Sequence, residues 1–162
     1  MWGQNEQKIS QTFILQKKDI GLLSFAHFQA NSSPLFKKQK ILKLTDIISL
    51  NNILFTHNTL NNNTPIIFKD YFKFKEVRHE HQTINRINST YSIPEGSLEL
   101  PTFRTTTGKL SLKNVCSNNW NKTLKDLSLK YLEKYISNQN WLNNCKISYL
   151  KHMLKNNFLD HY

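Results

Sequence analysis

Glycine is scarce in this chain, with four residues in 162: Gly3, Gly21, Gly96 and Gly108. They form no glycine-rich phosphate cradle, and neither a Gly-x-Ser-x-Gly elbow nor a His-Glu-x-x-His helix occurs. The two cysteines, Cys116 and Cys145, make neither a disulfide framework nor a cysteine-rich zinc motif. A reducing compartment is therefore expected. The 11 acidic residues are scattered singly, with no Asp-Asp pair. Two-metal nucleotidyl transfer needs acids converging on one centre, so a self-contained polymerase, nuclease or integrase is not expected. No run reaches the ~18 consecutive apolar residues of a membrane span. Met1-Trp2-Gly3-Gln4-Asn5 carries neither the basic nor the apolar region of a secretory leader. The expectation is an intracellular protein, in cytoplasm or nucleus, with no membrane partner, no small-molecule substrate and no cofactor. No internal repeat is visible.

Positive charge is what the chain has in excess. Lys and Arg number 22, giving a net charge of +11. Such a balance favours polyanions through counterion release, or else serves solubility alone. Aromatic residues alternate with lysine in Tyr71-Phe72-Lys73-Phe74-Lys75. Rings of this kind stack on bases while ammonium groups meet phosphates, or they pack a core. Abundant Asn, Lys and Ile also fit AT-rich coding, so Asn61-Asn62-Asn63 carries little chemistry.

Periodicity predicts a mainly α fold. Ile9, Phe13, Ile20 and Leu23 recur at helical spacing within 5–29, and Gly21 weakens that helix by about 1 kcal/mol against Ala. Asn31-Ser32-Ser33-Pro34 reads as a loop, because proline disfavours helix at the residue before it. A basic stretch follows at Lys37, Lys38, Lys40 and Lys43: a solvated face or a nucleic-acid contact. Residues 45–60 predict a helix capped by Thr45, with Asp46 favourable at its positive end and Ile47, Leu50 and Leu54 on one face. Pro65 starts a short helix through Phe72. Residues 73–99 read as a long polar loop. Leu98, Leu100, Phe103, Leu110 and Leu112 suggest one inserted β-hairpin near 98–113, with Gly108 supplying a positive φ at its turn. Helical spacing returns at Trp120, Leu124, Leu127 and Tyr131, and again at Ile147, Leu150, Leu154 and Phe158. Residues 1–72 and 98–162 are expected to form one compact unit around the 73–99 loop.

The stretch Phe103–Asn121 holds the most distinctive spacing. Arg104 beside Thr105, and near Lys109, either clamps a phosphate or satisfies helix carbonyls. Trp120 reads as a core anchor. His79-Glu80-His81 offers two metal ligands that Cys116 or Cys145 would complete, or is a solvated loop pair; no metal is expected.

In order and spacing, these fragments resemble the carboxy-terminal part of the reverse transcriptase of non-LTR (LINE-type, Jockey-like) retrotransposons. The resemblance runs along nearly the whole chain. It rests on Trp2-Gly3, Phe13-Ile14-Leu15-Gln16-Lys17-Lys18, Ser33-Pro34-Leu35-Phe36, Ile41-Leu42-Lys43-Leu44, Asp46, Phe55 and Pro65. Further along it rests on His81 and Thr83, then Arg104-Thr105, Gly108-Lys109, Ser111 and Trp120-Asn121. The chain departs from that pattern at Gly21, Ile84, Cys116 and Ser117. The resemblance implies thumb and post-thumb material, downstream of the palm aspartates that carry polymerisation. Its role would be noncatalytic: gripping RNA or an RNA–DNA duplex through Lys17, Lys18, Lys37, Lys38, Lys40, Lys43, Arg104 and Lys109. Gly108, Trp120 and Asn121 would be structural, and an upstream palm domain would be the protein partner. Two other readings remain: a module that docks on the palm through the 45–60 helix without nucleic acid, and a relic transposon fragment with no selected function.

Overall fold

The computed structural model describes residues 6–27, 29–75, 96–135 and 145–162, with Glu6 and 128–135 as backbone only. It is mainly helical: α1 (Glu6–Leu23), α2 (Ser32–Lys38), α3 (Leu44–Leu60), a 3-10 turn (Ile66–Phe68), α4 (Thr106–Lys109), α5 (Leu112–Tyr135) and α6 (Ile147–Asp160). No helix among the described residues is long and apolar enough to cross a membrane. Two compact units are present, residues 1–54 with 146–162, and residues 55–145. The division falls inside α3, after Leu54.

In the first unit, α1 packs on α2 and α2 on α6. Ile20, Phe36, Leu42, Leu50, Ile53, Leu150, Met153 and Leu154 are its buried apolar residues. The helical spacing of Leu150 and Leu154 is the one expected from sequence, whereas Ile147 is exposed. Helix α2 begins at Ser32, inside the segment expected to be a loop. Asn31 caps it by accepting from the Ser33 N–H at 3.0 Å. Pro34 thus falls in the first turn, where its missing N–H costs nothing, since those donors have no partner within the helix.

The second unit centres on Phe72, Leu98, Cys116, Trp120, Leu124 and Leu127, all buried. The helix expected from Pro65 through Phe72 is only the 3-10 turn, ended before Asp70, which has a left-handed φ of 60°. Phe55, Phe68, Tyr71 and Phe72 form an edge-to-face cluster with centroid separations of 5.1–6.1 Å. This settles Phe72 as core, while Phe74 stays partly exposed.

The β-hairpin expected at 98–113 is not formed, and the described residues contain no strand. What pairs instead is 73–75 with 97–99, through one antiparallel bridge between Phe74 and Leu98. Lys75 N–H donates to the Ser97 carbonyl (2.7 Å) and Glu99 N–H to the Lys73 carbonyl (2.9 Å). The bridge joins the two ends of the expected polar loop; residues 76–95, with His79 and His81, lie outside the described residues. The supposed hairpin turn is helical because two side chains cap it. Thr105 Oγ1 accepts from the Gly108 N–H (3.1 Å), and Ser111 Oγ accepts from the Asn114 N–H (3.4 Å) at the start of α5. Hydroxyl caps of this kind hold a first helical turn against the weak strand preference of two alternating leucines.

The shortage of glycine shows at the helix ends. Ala26 N–H bonds to the Gly21 carbonyl and Phe25 N–H to that of Leu22. The same pair of bonds recurs at Ile41–Phe36 with Lys40–Lys37, and at Asn63–Asn58 with Asn62–Thr59. Helices α1, α2 and α3 therefore all end in Schellman motifs, whose left-handed position is usually glycine. Here it is filled by Phe25 (φ 48°), Lys40 (φ 53°) and Asn62 (φ 57°). Asn tolerates this region; Phe and Lys meet a steric cost of about 1 kcal/mol or more.

Candidate nucleic-acid interface

Gln16 organises the basic end of the first unit. Its Nε2 donates to the Leu42 carbonyl (2.9 Å) and its Oε1 accepts from the Leu44 N–H (2.8 Å). The α1 segment bearing Lys17 and Lys18 thus lies against the chain between α2 and α3. Phe13 stacks on Phe36 and Phe36 meets Tyr162 edge-on, each pair 6.3 Å apart. Ammonium groups sit at both ends of this ladder: Lys17 Nζ is 4.6 Å from the Phe13 centroid and Lys43 Nζ 4.0 Å from that of Tyr162. Such cation–π contacts are worth about 0.5–1 kcal/mol at exposed positions.

The eight candidate cations occupy different environments. Lys17, Lys18, Lys37, Lys38 and Lys40 are exposed. Lys43 is half-buried, and its ammonium donates to Ser33 Oγ at 3.1 Å. Its backbone N–H donates to Tyr162 Oη (2.8 Å), and that hydroxyl donates to the Asp46 carboxylate. Burial, and then the bond to Asp46, push the Tyr162 hydroxyl well above its ordinary pKa. Lys43 is thus built into the fold. Helix α3 starts at Leu44, with the donors around its first residue taken by Tyr162 and Gln16; the expected cap, Thr45, lies inside the helix.

Arg104 and Lys109 belong to the second unit, so the structure does not gather all eight into one compact unit. Both are exposed, on either side of the Thr105 cap. The glycine expected to provide positive φ is Gly108, yet among the described residues the one that does is Gly96, at 84°. Gly108 is needed for a different reason. A Cβ there would lie 2.7 Å from Phe103 Cδ1 and 2.8 Å from Phe103 Cβ, too close for either to remain in place. Gly108→Ala is expected to destabilise the protein by about 1–2 kcal/mol, overpacking outweighing the better helix propensity of alanine. Urea unfolding checks the sign, and a more stable variant would refute the close packing.

Trp120 and Asn121 act together. Trp120 is 0% exposed and its Nε1–H donates to the Gly96 carbonyl at 3.1 Å. Asn121 Oδ1 accepts from the Leu98 N–H (2.7 Å) and its Nδ2 donates to the Leu98 carbonyl (2.9 Å). The pair fixes the extended segment 96–98 onto α5. The core role of Trp120 was legible as a large aromatic at helical spacing; the Asn121 clamp has no local sign.

The burial of several polar groups has no local sign in the sequence. Cys116 is buried and its thiol is pushed up to about 11 by desolvation, against a hydrogen bond with Thr56. A thiol so raised is scarcely ionised near neutrality and is a poor nucleophile. His57 is buried too, and burial lowers its pKa despite the bond of its Nε2 to the Cys145 carbonyl (3.1 Å). A carbonyl only accepts, so Nε2 is the donor in this bond. Among the described residues, no group of three or more His, Cys, Asp or Glu side chains is placed to hold a metal ion.

No protein-family model, curated protein or solved structure matches this chain.

Proposed function

We propose that this protein binds nucleic acid without catalysing a reaction on it, through the exposed lysines of its first unit. The observation that carries this reading is the fixed basic end built by Gln16 and the Phe13–Phe36–Tyr162 ladder. Around that scaffold Lys17, Lys18, Lys37, Lys38 and Lys40 stay exposed. Ammonium groups held on a rigid frame meet phosphates at lower entropic cost than lysines on a mobile tail. Contacts of this kind grip the backbone and carry no sequence preference. The resemblance to the end of a non-LTR reverse transcriptase supports the same role, with RNA or an RNA–DNA duplex as ligand. The palm-docking alternative has less in its favour, since Leu50 and Ile53 of α3 are already buried.

The test is binding of an RNA–DNA duplex to the whole chain in rising salt. Four or five phosphate contacts predict an affinity loss of roughly 150- to 500-fold between 50 and 200 mM salt. Negligible binding at low salt, or affinity independent of salt, overturns the reading.

A further inference from the structure

We infer that Phe25 is a stacking platform for an unpaired nucleobase. The nucleic acid held by the first unit would then be single-stranded, or carry an unpaired stretch, where it passes the end of α1. This rests on the nucleic-acid reading above and specifies its ligand.

Three observations converge on this residue. The Phe25 ring is 98% exposed, the most open large hydrophobic side chain among the described residues. The backbone that carries it is fixed: it has a φ of 48°, set by the two Schellman bonds that end α1. A bulky residue there is conformationally costly, and glycine is the residue that removes the cost. Neither core packing nor backbone preference accounts for a phenyl ring at this position.

The third observation is charge. Ser24 Oγ, next to Phe25, accepts from Gln39 Nε2 at 3.4 Å, which brings the end of α1 to the end of α2. Around Gln39 stand Lys37, Lys38 and Lys40, all exposed. No acidic residue occurs between Asp19 and Asp46. A flat apolar face beside several ammonium groups, without a carboxylate in that stretch, matches a nucleotide's own division into base and phosphate. Lys37 and Lys38, in the last turn of α2, also offset the partial negative charge of that helix end, which would otherwise repel phosphate. Stacking tolerates any base, so the site would recognise strandedness and not sequence.

The experiment compares Phe25→Gly and Phe25→Trp in the full chain, by fluorescence anisotropy with labelled oligothymidylate and with a blunt duplex of equal length. Phe25→Gly is expected to bind the single strand roughly tenfold more weakly, with an unchanged salt slope and unchanged duplex affinity. Its thermal midpoint should rise, because the backbone strain is relieved, so stability and binding move in opposite directions. Phe25→Trp should keep single-strand affinity. Equal single-strand binding by Phe25→Gly, or equal loss on both probes, overturns the inference while leaving the backbone-binding reading intact. Failure of the unaltered protein to bind either probe overturns both. Binding to phosphatidylserine vesicles that Phe25→Gly abolishes, with single-strand affinity unaffected, would assign the ring to a membrane surface instead.

Discussion

Trp120→Ala is expected to lower the unfolding free energy by about 3–5 kcal/mol, the range for truncating a buried aromatic in a core. Against a total stability of about 5–15 kcal/mol, that loss brings the second unit close to unfolding. Trp120 is fully buried, and its indole N–H is the donor to the Gly96 carbonyl. The substitution therefore opens a cavity and removes a hydrogen bond together. Trp120→Phe separates the two contributions, since it keeps most of the ring and deletes the donor; a cost of about 1–3 kcal/mol is expected. Asn121→Ala should cost a similar amount, because both backbone groups of the buried Leu98 lose their side-chain partner. Denaturant titrations of the three variants check the order. A Trp120→Ala midpoint equal to that of the unaltered protein would show that the indole is not the anchor of this unit.

The combined variant Lys37→Gln, Lys38→Gln, Lys40→Gln is expected to weaken nucleic-acid binding roughly 100-fold at low salt and to reduce the salt slope by about two to three. Glutamine keeps a long polar side chain and removes the charge, so the readout isolates electrostatics. All three positions are exposed, and none donates a side-chain hydrogen bond within the fold among the described residues. The helix-dipole cost falls on Lys37 and Lys38, in the last turn of α2, at about 0.3–1 kcal/mol each. A melting curve close to that of the unaltered protein, with binding lost, is the expected combination. Lys43→Gln should behave in the opposite way, losing stability before affinity, because its ammonium is engaged by Ser33 and the Tyr162 ring. If the triple variant binds as the unaltered protein does, the exposed lysines of α2 are solvated charge and no interface.

Gly108 shows how a correct signal leads to a wrong structure. Its rarity marks it as constrained, and the constraint is real, but it is the Phe103 side chain that excludes a Cβ and not a left-handed turn. The leucines flanking it alternate as a strand would, yet Thr105 and Ser111 are placed to cap helices. Sequence alone does not rank a five-residue alternation above two hydroxyl caps. The lysine set was equally half legible. Exposure of Lys17, Lys18, Lys37, Lys38 and Lys40 follows from their charge, while the inward turn of Lys43 depends on Tyr162, 119 residues away.

The helical class, the span of α3 to within a residue and the excess of positive charge are legible in the sequence. Each of these is set by local periodicity or by counting. How the helices begin and end is set by contacts distant in the chain. Gln16 and Tyr162 supply acceptors at the start of α3 from 28 and 119 residues away. Asn121 reaches back 23 residues to hold Leu98. With glycine so scarce, Phe25, Lys40 and Asn62 take the left-handed positions that it usually fills. The physical reason is common to all of these. A helix interior is satisfied by its own backbone, four residues along, whereas the orphan groups at its ends take whatever partner the fold brings to them.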